Sequence, residues 1–173
     1  MPRRFSSTEG WLGFALDLAR KQRCKDAQKV LHKLAGRELT SNNLRLAAQV
    51  STRCELLERA VDCWLEVERR HQMEPGDYYM LGSLKMRLSN LDSAARCFEQ
   101  EIALALKIGK DYFLGSSVMR LADLMLRLNN PSRAKEVLAF VEDGTGDYVE
   151  GAGFRTKAAL LREVEEKLTG SSL

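Results

Sequence analysis

Residues 78–98 read YYMLGSLKMRLSNLDSAARCF, and this stretch contains the pattern that decides the fold. Tyr78 precedes the small residue Gly82 by four positions, and after a polar turn Ala94 precedes Phe98 by four positions. Two antiparallel helices need a small residue on each helix where their axes come close, and large apolar residues one turn away fill the space beside that contact. The stretch therefore predicts a helix, a short turn and a second helix.

The same spacing recurs along the whole chain. Small residues followed one helical turn later by large apolar residues are separated by 33, 34 and 40 positions, at Ala27, Ala60, Ala94 and Ala134. Twelve positions before each of them stands another small residue, at Ala15, Ala48, Gly82 and Ala122. Self-similarity at a period of ~20–50 residues is typical of repeat proteins in which each unit packs on its neighbours. The sequence thus predicts four repeats, each a helix hairpin.

Apolar periodicity and the turn residues between segments predict nine helices. We expect them at residues 8–23, 26–35, 41–53, 56–70, 77–89, 92–108, 111–128, 131–141 and 148–168. The last is interpreted as a fifth first helix, because Asp147, Tyr148 and Gly151 repeat Asp111, Tyr112 and Gly115 at a shift of 36 residues. Its outer face is polar, as the terminal cap of a solenoid requires. No strand is expected, and a turn before the cap is expected to contain Gly144, Gly146, Gly151 and Gly153. The predicted fold class is all-α, an α-solenoid of about four helix hairpins plus a C-terminal capping helix.

The third repeat resembles the tetratricopeptide repeat (TPR) family. That family has the pattern aromatic-x2-Leu-Gly-x2-aromatic followed by Ala-x3-aromatic on a 34-residue period, which Tyr78, Leu81-Gly82, Ala94 and Phe98 match. The chain departs from the pattern at Ser51 and Lys85, which replace a large residue, and no repeat ends in the family's proline. The resemblance covers about residues 8–168. It implies a protein-protein interaction scaffold whose first helices line a concave groove.

The long spacing after the third repeat is similar to the lengthened repeats of kinesin light chains and related adaptors. It arises from an extended second helix that runs to Ile108 and ends at Gly109, a residue suited to a left-handed cap. This resemblance implies an adaptor that binds a segment of another protein.

The composition is that of one soluble globular domain. The chain has 173 residues, of which 45% are hydrophobic and 29% charged. We expect a flexible N-terminus over residues 1–7 and a single TPR-like solenoid domain over residues 8–173. Within that terminus, Arg3-Arg4-Phe5-Ser6 fits a basophilic-kinase pattern that also arises by chance. Small, reduced, buried apolar residues are expected at Cys24, Cys54, Cys63 and Cys97.

Several classes of function are disfavoured. The net charge is only +3 and the charges are interspersed, whereas nucleic-acid binders concentrate their basic residues. No apolar run approaches the ~18–20 residues of a membrane span, so we expect a cytoplasmic protein with no membrane partner. The chain lacks a phosphate-binding Gly-rich loop, a G-x-S-x-G motif and an H-E-x-x-H motif, so we expect no enzyme. His32 and His71 have no partners at metal-ligand spacing, and we expect neither a metal nor another cofactor.

The most distinctive candidate site is a set of arginines at equivalent positions. Five residues after the small position of each first helix stand Arg20, Arg53, Arg87 and Arg127. Guanidinium groups bind carboxylates in bidentate fashion, so a stacked row would suit an acidic peptide. The alternative is that each arginine only offsets the dipole of the helix it ends, which contributes ~0.3–1 kcal/mol. The family implies that the remaining groove residues are Leu16, Gln49, Tyr79, Ser83, Met86, Met119 and Asp123.

Three functional hypotheses follow from these residues. The first is a scaffold that binds an acidic, partly apolar segment of another protein in its groove. The second is a structural fragment of a larger solenoid, for which an exposed apolar face at Trp11, Leu12, Phe14 and Leu18 would be the sign. The third is a regulatory or secretion-chaperone-like role. Family members that hold acidic chaperone tails use Lys and Asn where this chain has Leu12 and Leu16, which disfavours that ligand.

Overall fold

The computed structural model describes residues 7–109, 112–149 and 151–170. The contacts divide the chain into two compact units, unit 1 (Met1–Met73) and unit 2 (Glu74–Leu173), and most of the described residues are helical. The Arg3-Arg4-Phe5-Ser6 pattern and residues 1–6 of the expected flexible terminus lie outside the described ranges. None of the helices within those ranges combines the length and the apolar character that crossing a bilayer requires.

Unit 1 consists of two helix hairpins. Its helices are α1 (Thr8–Arg20), α2 (Cys24–Lys33), α3 (Ser41–Arg53) and α4 (Leu57–Arg69). The small residues of both repeats are fully buried where the helices meet, at Ala15, Ala27, Ala48 and Ala60. Trp64 is buried as well, one turn after Ala60. The repeat pattern therefore describes the packing of unit 1 as predicted.

Unit 2 contains α5 (Asp77–Arg87), α6 (Leu91–Ile108), α7 (Leu114–Arg127), α8 (Pro131–Leu138), β1 (Gly146–Val149), β2 (Gly153–Thr156) and α9 (Lys157–Gly170). α5 and α6 come closest at Gly82, where an added Cβ would lie 3.0 Å from the ring of Phe98. A side chain at this position would require the Phe98 ring to shift by a few tenths of an ångström. One apolar core continues from Phe98 through α7 and α8 to Leu160 and Val164 of α9.

The turn within each helix hairpin has the same backbone conformation. A non-glycine residue with φ between 56° and 60° stands seven positions after the small residue of every first helix, at Gln22, Glu55, Ser89 and Asn129. Left-handed φ values are uncommon for residues with a side chain. Their recurrence at equivalent positions confirms that the four hairpins share one register.

A buried carboxylate substitutes for the missing side-chain cap of α5. The residue before this helix is Gly76, which has no side chain to accept a hydrogen bond from the first turn. Glu101 of α6 is fully buried and accepts from the backbone N–H groups of Gly76 at 2.7 Å and Tyr79 at 3.4 Å. Burial raises the pKa of Glu101, while these hydrogen bonds oppose the shift.

Eight helices begin and end within three residues of the predicted bounds, although the predicted start of α7 at Asp111 lies outside the described residues. The ninth prediction is wrong over its first half, as is the expectation of no strand. Residues 146–149 pair antiparallel with residues 153–156, with Asp147 opposite Arg155 and Tyr148 opposite Phe154, and the helix begins only at Lys157. The left-handed φ values at Gly151 and Gly153 interrupt a helix, and Tyr148, Val149 and Phe154 favour a strand.

Candidate functional site

The most elaborate polar site in the described residues is centred on Arg120 of α7. Its Nε lies 3.2 Å from Oδ2 of Asp147, its Nη1 donates to Oγ of Ser83 at 2.8 Å, and its Nη2 donates to the carbonyl of Tyr148 at 3.1 Å. The guanidinium carbon also lies 4.6 Å from the centroid of the Tyr79 ring. With a side chain only 14% exposed, Arg120 joins a carboxylate, a hydroxyl, a carbonyl and an aromatic face.

α5 positions the hydroxyl and the aromatic ring of this site. Tyr79 and Ser83 are one helical turn apart and face the same direction, and the Ser83 hydroxyl donates to the Tyr79 carbonyl at 2.8 Å. The Tyr79 ring is held between Phe113, at a centroid distance of 5.0 Å, and Phe98, at 6.1 Å. Burial raises the pKa of the Tyr79 phenol, against the opposing effect of the Arg120 charge.

β1 supplies the carboxylate and the carbonyl from an extended backbone. Successive side chains of a strand point to opposite faces, so Asp147 and Val149 face α7 while Tyr148 faces away. Val149 is buried in the core of unit 2. On the outer face, Tyr148 and Phe154 are 70% and 58% exposed and form an edge-to-face pair with centroids 5.2 Å apart. β1 thus contacts the helices as a short, extended acidic peptide would.

A second group of charges lies on the same helix. Asp123 is buried, and its carboxylate lies 2.6 Å from Nε of Arg127 and 3.6 Å from Nη1 of Arg155 on β2. Arg155 also donates to Glu163 of α9 at 2.6 Å. Burial raises the pKa of Asp123, while the two guanidinium groups oppose the shift. Arg127 therefore neutralises a carboxylate of its own unit.

All four arginines of the predicted row lie in the last turn of a first helix. Arg20 and Arg53 are exposed on unit 1, and Nη1 of Arg20 lies 3.9 Å from Asp17. Arg87 is half-buried on unit 2, where Arg127 pairs with Asp123. Their positions fit the alternative interpretation, in which each cation offsets a helix dipole.

The other predicted groove residues divide into buried and accessible side chains. The apolar cores of the two units bury Leu16, Met86 and Met119, and Asp123 is also buried. The three apolar side chains belong to the cores of their units, and Asp123 belongs to the ion pairs with Arg127 and Arg155, so none of the four lies open to a ligand. Gln49 is half-buried on α3. Only Tyr79 and Ser83 of the predicted set meet at Arg120, which repeat comparison alone did not single out.

Two apolar grooves lie elsewhere on the units. In unit 2, a groove of about 220 Å³ between α6 and α8 is lined by Ile102, Leu106 and Phe140, with a salt bridge of 3.3 Å between Arg133 and Glu99 at its rim. In unit 1, a groove of about 280 Å³ between α1 and α2 is lined mainly by Trp11, Phe14, Leu18 and Val30. Trp11 and Phe14 are half-exposed, whereas Leu12 and Leu18 are buried, so the predicted apolar face consists of the two aromatic rings.

The cysteines contribute to packing in this structure. All four are free thiols, of which Cys54 and Cys97 are buried and the other two half-buried. Burial raises the pKa of Cys63, and burial together with its neighbour Cys24 raises the pKa of Cys54 to about 12. Within the described ranges, no three His, Cys, Asp or Glu side chains are close enough together to hold a metal ion.

No protein-family model matches the chain, and no curated protein sequence is detectably similar to it. The resemblance to tetratricopeptide repeats therefore stays a prediction that rests on the residue pattern. What the structure shows is a mostly helical chain of two units whose helix hairpins follow that pattern.

Proposed function

We propose that this protein is a non-catalytic adaptor of the TPR type, active in the cytoplasm, that binds a segment of another protein. We place the binding site on the Arg120 face, which we define as the surface of Tyr79 and Ser83 on α5 and Arg120 on α7. The observation that supports this choice is β1, because an extended strand with a carboxylate already lies on this face. The proposed activity needs no cofactor.

The chemistry of the face indicates which segment it would bind. A guanidinium has five donors in a rigid plane, so it can bind a carboxylate and a backbone carbonyl at the same time. In β1 these acceptors come from Asp147 and Tyr148, and the aliphatic Val149 inserts into the core beside them. We therefore propose an extended partner segment with an acidic residue followed two positions later by an aliphatic residue.

The exposed arginines of unit 1 have a secondary role in this proposal. Arg20 and Arg53 are too exposed to contribute much affinity, since exposed ion pairs contribute ~0–1 kcal/mol. Exposed positive charges do accelerate the encounter with an acidic partner, and salt screens this effect beyond ~8 Å at physiological ionic strength. Binding should accordingly become slower as salt is added.

A panel of labelled synthetic peptides tests the proposal by fluorescence anisotropy. The panel pairs peptides of the form Asp-x-aliphatic with the same peptides carrying Asn in place of Asp. We expect binding of the Asp peptides only, and loss of that binding in Arg120→Ala. Arg162→Ala is the matched control, because Arg162 is an exposed arginine of α9 that contacts the carbonyl of Ala158 in its own helix. Equal binding of Asp and Asn peptides, or unchanged binding by Arg120→Ala, would contradict the proposal.

The second candidate function is a structural segment of a larger helical array. The half-exposed pair of Trp11 and Phe14 supports it, because a further hairpin packed on α1 and α2 would cover these rings. Sedimentation velocity distinguishes the two functions. A structural segment should associate with rising concentration and lose this association in Trp11→Ser with Phe14→Ser, whereas the adaptor's peptide binding should survive both substitutions.

A further inference from the structure

We infer that β1 competes with the partner segment for the Arg120 face, so that the chain limits access to its own binding site. This inference rests on the proposed function, since it assigns regulation to the same face. A partner would bind by displacing the contacts that Asp147 and the Tyr148 carbonyl make with Arg120.

β1 is joined to α7 by polar contacts at Arg120 and by one buried apolar side chain. Asp147 and the Tyr148 carbonyl bind Arg120, and Val149 is the apolar anchor. The large rings of Tyr148 and Phe154 point to solvent and bury little area against the helices. Releasing β1 therefore withdraws one buried aliphatic side chain, Val149, from the core of unit 2.

The hairpin that contains β1 has little stability of its own. Its two strands have four residues each, and an isolated two-stranded hairpin is marginally stable in water. Gly144, two residues before β1, is exposed, and a Cβ added there would meet no atom within 4 Å. The contacts with Arg120 and Asp123 hold the hairpin in place, and a ligand that offers equivalent contacts can replace them.

The state without β1 explains why the competitor must be acidic. If β1 leaves, Arg120 keeps Ser83 and the Tyr79 ring but loses its carboxylate, and a partly buried charge without its counter-ion is costly. An incoming carboxylate restores the ion pair, whereas a neutral segment does not. β1 is tethered and therefore present at a high effective concentration. The apparent affinity for any partner then equals its intrinsic affinity multiplied by the fraction of chains in which the face is free.

The test uses the full chain and a defined probe, a labelled peptide with the sequence of residues 145–157, TGDYVEGAGFRTK. In Asp147→Asn the internal carboxylate is removed while the probe retains its own. We expect this variant to bind the probe with a Kd at least about tenfold lower than the unmodified chain, a difference of ~1.4 kcal/mol. A second variant, in which a Gly/Ser linker of equal length replaces residues 146–156, should bind more tightly still.

The matched control is Asp143→Asn. Asp143 belongs to the same connection, but its carboxylate is 98% exposed and pairs with Lys157 rather than with the Arg120 face. This variant should bind the probe like the unmodified chain. Circular dichroism confirms that each variant retains its helices. In hydrogen exchange, the amides of β1 in the unmodified chain should lose protection when the probe is added in excess.

The possible outcomes separate the inference from the proposed function. Equal affinity in the unmodified chain, Asp147→Asn and the linker variant, together with loss of binding in Arg120→Ala, would overturn competition by β1 and leave the binding face in place. Absence of binding to the folded linker variant, even at millimolar probe, would overturn both. Tighter binding in Asp143→Asn to the same extent as in Asp147→Asn would also overturn competition at Arg120.

Discussion

Arg120 joins three parts of unit 2 through one guanidinium. It connects α7 to Ser83 of α5 and to Asp147 and Tyr148 of β1. Comparison of the repeats could not single out this residue, because it stands two positions before the small residue Ala122, where the other repeats have Gly13, Leu46 and Met80. Repeat comparison detects what the repeats share, whereas a specific site is made of what they do not share.

The stability of the chain should depend on this guanidinium. Arg120→Ala leaves the half-buried Asp147 without its counter-ion, and hydrogen bonds to charged groups contribute ~1.5–3 kcal/mol. We expect a loss of about 1.5–3 kcal/mol in urea unfolding. Arg120→Lys retains the positive charge but lacks the planar guanidinium with its several donors, so it should lose less free energy of unfolding than Arg120→Ala. The exposed control Arg162→Ala should remain within ~0.5 kcal/mol of the unmodified chain, and an equal loss there would show that the Arg120 contacts contribute nothing specific.

Glu101 should make stability depend on pH. Its pKa is raised in the folded protein above the ordinary value of 4.5, so the folded state binds more protons than the unfolded state just above that pH. The contribution of Glu101 to the free energy of unfolding should therefore fall as pH rises from about 4.5 toward the folded pKa, by at most ~1.4 kcal/mol for each pH unit between these two values. Urea unfolding of the unmodified chain and Glu101→Gln at several pH values measures this, because glutamine does not titrate.

Other carboxylates titrate in the same pH range and contribute to both chains. The informative quantity is therefore the difference in free energy of unfolding between the unmodified chain and Glu101→Gln at each pH. A difference that stays constant between pH 4 and pH 7 would contradict the raised pKa. Glu101→Ala should be destabilised at every pH, because the N–H groups of Gly76 and Tyr79 lose their acceptor.

At the scale of elements, the helices follow from the repeat pattern and the hairpin does not. The eight helices whose bounds agree are fixed by a small residue, a large apolar residue and a turn, all of which are local. The prediction for residues 148–156 relied on the repeated Asp-Tyr start of a first helix. In the structure Asp147 instead reaches a distant arginine, and the glycines that follow allow the chain to turn back. The local similarity was outweighed by a long-range contact that no repeat spacing contains.

The shared turn of the helix hairpins offers a way to stabilise the chain. Ser89 has a φ of 59°, a conformation that costs a residue with a side chain roughly 1–2 kcal/mol and glycine much less. Glycine loses more entropy on folding, which offsets part of the gain. We expect Ser89→Gly to raise the free energy of unfolding by about 0.5–1 kcal/mol in urea. Asn129→Gly is the control, since asparagine tolerates this conformation and should gain little. A destabilised Ser89→Gly would indicate that the Ser89 side chain contributes to the turn.

At the scale of the molecule, each of the two units has a core of its own. The core of unit 1 includes Leu12, Leu31 and Val50, and that of unit 2 runs from Met86 through Phe98 to Val164. A separate core is the condition for independent folding. The prediction from sequence, a single solenoid domain over residues 8–173, treats the chain instead as one continuous stack in which neighbouring hairpins stabilise each other.

A fragment of residues 74–173 distinguishes these descriptions. If unit 2 folds on its own core, the fragment should be helical by circular dichroism and should unfold in one cooperative transition. All side chains of the Arg120 face belong to unit 2, so Arg120→Ala should cost the fragment the same ~1.5–3 kcal/mol as the full chain. A fragment without a cooperative transition would show that unit 2 depends on unit 1. If the fragment is folded but Arg120→Ala does not change its free energy of unfolding, the arginine does not stabilise β1. In that case β1 could not regulate the Arg120 face in the way we infer.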